Sequence, residues 1–495
     1  MSKATSGSKV LINSVIYSCS GLLLKCFSFF LLPLYTVYLT TEDYGVTNIV
    51  SSFIATMSFV VTLSLFSAIE RFYVEFKEDP NKLKRFYGSV VCFSFLSSIG
   101  WGAIFSIFRE SLSRYIFSGI DFYPVILICL ASLTFNVQHT VYTSILKSQQ
   151  KAKKSSVLSI IFFFVTLSFN LLFVVGLKMG AVGVLLATLI SDGIFFVAFL
   201  VDVCREKAIA FCLDGNLLKT TLKYSIPIMP HNLSTRLAVL VSNSLIGTTA
   251  SLGALGVYSV ASQFGNIADT VQTYVNSAYA PWLYEKLHMR ENCYKEAIRN
   301  IVRPLVSVLG LFMVGIALFS QDYIVLFLEE SYKQAWQYVP LVVLVFAIKT
   351  IYYFYINVLF YYKKASRLLF TATLTGSLVN IALSYFMIPQ WGALGSVFSD
   401  AIAMLLRVVI IVVISLHFED VGLKIRDFVI NFFVVAGFIL VGLAPSYLQN
   451  SDTFSLWNFI YKVIIVLVYV GVVLLTYRKS ILGWLNFRKT KRGAK

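Results

Sequence analysis

Apolar runs of about 20 residues recur along the whole of this 495-residue chain. That is the length an α-helix needs to cross roughly 30 Å of hydrocarbon. At that depth no water is present to satisfy backbone N–H and C=O groups, so a spanning chain must be helical or close into a barrel. A barrel would show short alternating segments, whereas runs such as VLSIIFFFVTLSFNLLFVVGL are continuous. The expected fold class is therefore all-α, a polytopic membrane protein. Fourteen spans are expected, near 11–39, 45–70, 87–108, 122–146, 156–177, 180–202, 224–248, 253–283, 301–320, 338–361, 367–388, 393–416, 429–447 and 457–477. Charged residues make up 13% of the chain, against about 25% in soluble domains.

A net charge of +17 invites a nucleic-acid reading, but its distribution points to topology. With the amino terminus placed on the cytoplasmic side, 32 of the 41 Lys and Arg residues fall in cytoplasmic segments and four on the opposite side. That bias is the positive-inside rule. Both termini are expected in the cytoplasm, and no nucleic-acid partner is needed. The first apolar run is too long for a cleavable signal and has no small-residue cleavage site. The seven cysteines show no CxxC spacing, so neither a disulfide nor a metal site is expected.

Apart from Arg303 and Arg367 at the cytoplasmic ends of their spans, five cations lie inside spans: Lys25, Arg236, Lys349, Arg407 and Lys462. A charge at the bilayer centre costs roughly 2.5–3.5 kcal/mol on insertion scales and marks a functional site by default. Lys25 and Arg236 lie near the middle of spans 1 and 7, 211 positions apart. Snorkelling from the midplane would require a reach of roughly 15 Å, beyond either side chain. The rival to an anion-binding, cavity-facing role is a structural pair with an intramembrane acid. Lys349 is also near mid-span, with Gln138 as its repeat mate. Arg407 follows Asp400 by seven residues on a similar helical face, so an intrahelical arrangement competes with substrate contact. Lys462 is expected to snorkel. Among the acids, Asp269, Asp192 and Asp400 are intramembrane candidates for ion coupling or for pairing with a cation, Asp269 foremost. Glu70, beside Arg71, is expected at the interface. His139 and His231 are expected to be hydrogen-bonded rather than ligands, and Pro227 and Pro230 should break the start of span 7.

The 211-residue offset carries further. Gly45-Val46 falls on Gly256-Val257, Ser51 on Ser262 and Phe53 on Phe264. At an offset of 210, Lys153-Lys154 fall on Lys363-Lys364, and Asn170 on Asn380. A Gly-Ala-hydrophobic-Gly run follows each, at Gly180–Gly183 and Gly392–Gly395. A Ser-Asp pair follows in turn, at Asp192 and Asp400, with a spacing that differs by four residues, about one helical turn. Spans 1–6 and 7–12 thus form two repeats. An even number of crossings gives them one orientation, the parallel-repeat arrangement of some transporters. The expected organisation is an amino-terminal lobe over 1–207, a second lobe over 208–422, and two additional spans with a basic tail over 423–495.

The run LLPLYTVYLTTEDYGVTNIV with AIERFY, and KYSIPIMPHNLS with LGVYSVASQF in the second half, resemble polysaccharide flippases of the multidrug/oligosaccharidyl-lipid/polysaccharide exporter superfamily. The resemblance covers nearly the whole chain, including the span count. It implies a MATE-like fold, with two six-helix lobes around a central cavity. It also implies a bacterial inner-membrane flippase that carries undecaprenyl-pyrophosphate-linked oligosaccharide outward for O-antigen-type polysaccharide biosynthesis, alongside a polysaccharide polymerase machinery. Lys25, Arg236, Lys349 and Arg407 would then hold the pyrophosphate or glycan, and the intramembrane acids would link transport to an H+ or Na+ gradient. No cofactor is expected. A cation-coupled multidrug exporter should have an acid-dominated cavity, whereas the mid-span candidates here are basic. A lipid II flippase is compatible with a basic cavity, but the quoted motifs favour the polysaccharide branch. A glycan polymerase or ligase would carry its chemistry on a large external loop, and the longest here is about 17 residues. No nucleophile, metal or nucleotide motif is present to suggest an enzyme.

Overall fold

The computed structural model describes residues 2–290, 293–362, 368–448 and 453–493, with side chains described between 13 and 478 except at 14, 15 and 18. The repeat-matched Lys363-Lys364 pair lies outside the described residues. In chain order the helices are α1 (Ser2–Phe30), α2 (Leu32–Tyr38), α3 (Thr41–Val61), α4 (Leu65–Phe76), α5 (Pro80–Ile107), α6 (Arg109–Tyr115), α7 (Leu127–Ser148), α8 (Ala152–Asn170) and α9 (Gly180–Glu206). They continue with α10 (Gly215–Ser225), α11 (Met229–Thr249), α12 (Leu252–Met289), α13 (Tyr294–Phe327), α14 (Val339–Tyr361), α15 (Leu369–Trp391), α16 (Ala393–Phe418), α17 (Ile425–Leu448) and α18 (Leu456–Gly493). The expected all-α class holds.

Among the described residues, twelve segments are both long and apolar enough to cross a membrane. The two expected spans outside that set are α11 and α12, which are 21 and 38 residues long. Length does not exclude them; their polar content does. In α11 the polar residues Ser234, Ser242, Asn243 and Ser244 are buried against protein, so this helix does not need an apolar surface all round.

Breaks in the helices follow local chemistry. The α10 helix stops at Ser225 and α11 begins at Met229 with Pro230 in its first turn, the break that Pro227 and Pro230 foretold. Span 2 is divided where Leu63 and Ser64 adopt left-handed φ of 48° and 57°. The Val61 carbonyl freed there accepts from Ser97 Oγ at 2.7 Å. At the start of α3, Thr40 and Asp43 form a reciprocal capping box, which satisfies two otherwise orphaned donors. The other Asp43 oxygen, Oδ1, accepts from Ala181 N at 2.9 Å, which ties α3 to the start of α9. The matched glycines Gly180 and Gly392 both sit at φ +56°, a conformation that favours glycine.

By contact, the chain divides into two compact units, Met1–Ser259 with Ile381–Ser396, and Val260–Asn380 with Val397–Lys495. In the first, α7 packs against α3, α4, α5, α8 and α9, and α11 lies along α3. Its core includes Leu65, Phe72, Phe86, Val141 and Phe199. In the second, α13 packs against α14, α17 and α18, over a core that includes Leu283, Val302, Phe354, Ile411 and Phe428.

Within the first unit, the start of α12 crosses α3 at backbone contact. A Cβ on Gly45 would stand 2.0 Å from the Leu252 carbonyl oxygen, and one on Gly256 would stand 1.9 Å from that of Thr41. Thr41 and Leu252 are themselves 211 apart, so the repeat seen in sequence is also a reciprocal contact in space.

Lys462 does not snorkel. It is fully buried, and its Nζ donates to Asp322 Oδ2 at 2.8 Å and to Gln321 Oε1 at 2.6 Å. The partner lies on α13, 140 positions away, and pairing at depth replaces the reach to water. Gln321 also accepts from Ser446 of α17, so this polar knot pins both additional helices to α13.

Two outcomes are expected from thermal unfolding of the purified protein in detergent. Gly45→Ala or Gly256→Ala should lower the melting temperature by the equivalent of about 1–3 kcal/mol or more, the usual cost of overpacking. Gly100→Ala, inside α5 where a Cβ meets nothing within 4 Å, should not lower it and should raise it slightly, by the helix propensity of alanine over glycine. Lys462→Met should destabilise by about 3–5 kcal/mol by stranding Asp322, and Lys462→Met with Asp322→Leu should recover most of that loss.

Candidate functional site

In the first unit, Lys25 and Arg236 are both exposed, and neither has an ion-pair partner among the described residues. Lys25 rides on α1, which packs on α8 through stacked Phe27 and Phe163, 5.7 Å between centroids, and through Ser20 and Ser156 at 2.9 Å. Arg236 is held by its backbone. Its carbonyl accepts from Thr56 Oγ1 at 3.2 Å, and one turn pair further on Asn243 donates to Asn48 Oδ1 and Ser52 Oγ at 2.7 and 2.6 Å. These bonds fix α11 on α3 and leave the guanidinium uncommitted. An uncommitted guanidinium or ammonium is a ready donor to an anionic oxygen.

Lys349 is committed. Its Nζ lies 2.7 Å from Asp269 Oδ1, which also accepts from Tyr353 Oη at 3.0 Å. The lysine Nζ stands 5.3 Å from the ring centroids of both Phe346 and Tyr353. Asp269 and Lys349 head a polar seam between α12 and α14 in the second unit. Gln272 donates to Phe346 O and Thr350 Oγ1, each at 2.7 Å. Thr273 and Tyr353 are hydroxyl to hydroxyl at 3.0 Å, and Asn357 donates to Asn276 Oδ1 at 2.6 Å. Sequence reading singled out only the two charged members. The signal for the rest was present: 269, 272, 273 and 276 face 349, 350, 353 and 357, each a run at helical spacing.

The other candidates separate into distinct sites. Asp400 Oδ1 accepts from Asn380 Nδ2 at 2.7 Å, while Arg407 Nη2 donates to Ser377 Oγ at 2.9 Å. Both charges of α16 are thus held by α15, and Arg407 lies over Gly376, whose missing side chain makes room for it. Asp192 is fully buried and faces α7, with His139 Nδ1 at 3.6 Å and Asn136 Nδ2 at 3.5 Å. The His139 ring lies against Phe162 and Phe195. The sequence-matched Asp192 and Asp400 therefore differ in their partners: Asn170 donates to Thr166 of its own helix, whereas Asn380 crosses to its aspartate. Gln138, the repeat mate of Lys349, is fully buried with neither side-chain polar atom bonded. Glu70 is exposed on α4, beyond the break at 62–64, beside Arg71, whose guanidinium sits 4.4 Å over the Tyr224 ring.

Long apolar helices carrying exposed and paired charges define a polytopic helical membrane protein. Residues 10–287 match the family described as polysaccharide biosynthesis protein, more than half of the chain, and the chain belongs to that family. No curated protein sequence matches it. Among solved structures, it is similar to the lipid II flippase MurJ in an inward closed conformation, with a TM-score of 0.71, 17% identity, and coverage of 94% of this chain and 100% of that one. It is also similar to an inward-facing multidrug resistance MATE family transporter of the MOP superfamily, with a TM-score of 0.58, 15% identity, and coverage of 84% and 94%. A MOP superfamily transporter from Pyrococcus furiosus, described as having a binding pocket of reverse polarity, matches with a TM-score of 0.52, 17% identity, and coverage of 83% and 95%. The expected MATE-like fold is therefore found.

The Lys349–Asp269 bond predicts non-additive stability. Lys349→Met and Asp269→Asn should each lower the melting temperature, by less than the roughly 3–5 kcal/mol of a fully buried pair because both side chains are partly exposed. A double-mutant cycle on thermal unfolding should return a favourable coupling between them; additive losses would show that the pair does not form.

Proposed function

We propose that this protein is a flippase that carries a polyprenyl-pyrophosphate-linked oligosaccharide from the cytoplasmic to the outer leaflet of the bacterial inner membrane, for surface polysaccharide biosynthesis of the O-antigen type. The observation that carries this reading is the pair of exposed cations at positions 211 apart, Lys25 and Arg236, which have no ion-pair partner among the described residues, in a member of a polysaccharide biosynthesis family. A pyrophosphate leaving water needs paired charge and hydrogen-bond donors, and these two side chains have both to give. Lys349 is a third contact held in reserve: an incoming pyrophosphate competes with Asp269 for it, and protonation of Asp269 would release it. That exchange is the proposed route of coupling to an H+ gradient; a Na+ ion near Asp269 would act through the same carboxylate. Arg407, held by Ser377, is assigned a supporting part nearer the glycan.

The lobes over 1–207 and 208–422 would rock about the bound headgroup in alternating access, with the polyprenyl tail remaining in lipid and no bond made or broken. Both termini would be cytoplasmic, and the exported glycan would pass to a polymerase on the outer face. Moving one charge through 100 mV is worth about 2.3 kcal/mol, so an inside-negative potential favours outward movement of the anion.

The test is restoration of surface glycan in a strain lacking its own polysaccharide flippase. Wild type should restore it. Lys25→Ala and Arg236→Ala should each reduce it by roughly tenfold or more, the loss of one charge-assisted contact of ~1.5–3 kcal/mol. The double variant should abolish it at normal membrane abundance, and Lys25→Arg should retain part of the activity. Full glycan from the double variant would remove the anion clamp, and restoration of lipid II transport instead of surface glycan would move the chain to the other substrate.

A further inference from the structure

An open groove lies in the second unit, between residues 299–307 of α13, the start of α17 and residues 469–477 in the middle of α18. One end is charged and the other apolar. Arg299, Arg303, Lys424 and Asp427 ring the first, and Val306, Val434 and Val472 line the second. From Lys424 to Val434 the gradient runs along about 15 Å of helix.

The hydroxyls of the wall are already used. Tyr469 donates to Ser307 O and Tyr477 to Arg303 O, both at 3.1 Å. The cations are used only in part. Asp427 Oδ2 is shared by Nε of Arg299 at 3.0 Å and Nε of Arg303 at 3.3 Å, which leaves the Nη groups of both guanidinia available. Among the lining residues, three cations therefore meet one carboxylate. Asp420, close by, does not restore the balance. The Gly422 N–H at 2.9 Å and Lys295 Nζ at 3.3 Å, with the nearby charge of Lys424, hold its carboxyl below the usual carboxylate range. Counted together, Lys295, Arg299, Arg303 and Lys424 still outnumber Asp420 and Asp427 by four to two.

We infer that this groove binds an anionic phospholipid of the surrounding membrane, with the phosphate diester on Arg299, Arg303 and Lys424 and an acyl chain along the valine wall. The charge excess and the apolar gradient match a lipid in both its parts, and basic pockets between spanning helices on the cytoplasmic side suit anionic headgroups. The wall offers little to a glycan: below the charged mouth its polar side chains are mostly bonded to its own backbone. The groove lies along α13, α17 and α18, and none of these helices carries Lys25, Arg236 or Lys349 of the proposed anion site. Bound there, the lipid would reinforce the seam of α17 and α18 with α13.

The full chain, purified in detergent, is exposed to equimolar phosphatidylglycerol and phosphatidylcholine of identical chains, and retained lipid is counted by native mass spectrometry. Wild type should retain phosphatidylglycerol roughly tenfold over phosphatidylcholine, as expected for two or more added Lys or Arg contacts. Arg303→Gln with Lys424→Gln, which leaves the Arg299–Asp427 pair intact, should lose that preference while melting normally without lipid. Val473→Trp, which fills the groove, should lose the bound lipid with the charges present. Equal retention of the two lipids by wild type would overturn the proposal, as would an unchanged preference in the charge variant. Displacement of phosphatidylglycerol by equimolar undecaprenyl phosphate in wild type would assign the groove to a substrate tail instead.

Discussion

Two backbone carbonyls, those of Thr41 and Leu252, stand where the side chains of Gly256 and Gly45 would have to be. In lipid there is little hydrophobic drive to bring one helix to another, and close approach through small residues supplies dispersion contact instead. The crossing of α3 with the start of α12 is an instance in which nothing larger than hydrogen fits. Its reciprocity, with residue i of one repeat on residue j of the other and the reverse, is the mark of a local two-fold relation. Other anchors gather around it: the Thr40–Asp43 capping box, the Asp43 bond to Ala181, and Asn243 lodged between Asn48 and Ser52. Capping and packing thus account for the motif TTEDYG.

With the helices so placed, the charges sort by whether a neighbour satisfies them. Lys462 is buried and takes Asp322; Lys349 takes Asp269 and Tyr353; Arg407 takes Ser377, and Asp400 takes Asn380. A charge so paired stabilises an arrangement chiefly by penalising its loss. Among the described residues Lys25 and Arg236 have no such partner, and both are exposed. A lipid-facing charge would be expensive at that depth, which is why an anionic ligand is the economical explanation for keeping two of them.

Much of the fold was legible in the chain because it is dictated by local rules. Span length, the proline break before α11 and the paired glycines at 180 and 392 follow from hydrocarbon thickness and backbone sterics, and all are found. The 211-residue offset pairs Gly45 with Gly256, and the two meet in space. What was not legible depends on tertiary neighbours. The partner of Lys462 is 140 residues away in a segment read as a loop, and burial replaced the expected reach to water. Asp192 and Asp400 looked equivalent, yet a change of about one helical turn hands one to α7 and the other to α15. The seam of Gln272, Thr273, Tyr353 and Asn357 was hidden because uncharged polar residues in a helix carry no alarm on their own, although their spacing placed them on one face.

In the proposed mechanism Lys25 and Arg236 together hold the translocating pyrophosphate. Proteoliposomes containing the purified protein and a labelled undecaprenyl-pyrophosphate oligosaccharide measure this directly, by the rate at which the glycan becomes accessible to an external glycosidase. The account predicts protein-dependent exposure in wild type and near-background exposure when both residues are alanine in equally well-folded protein. Exposure at the wild-type rate by that double variant would contradict it.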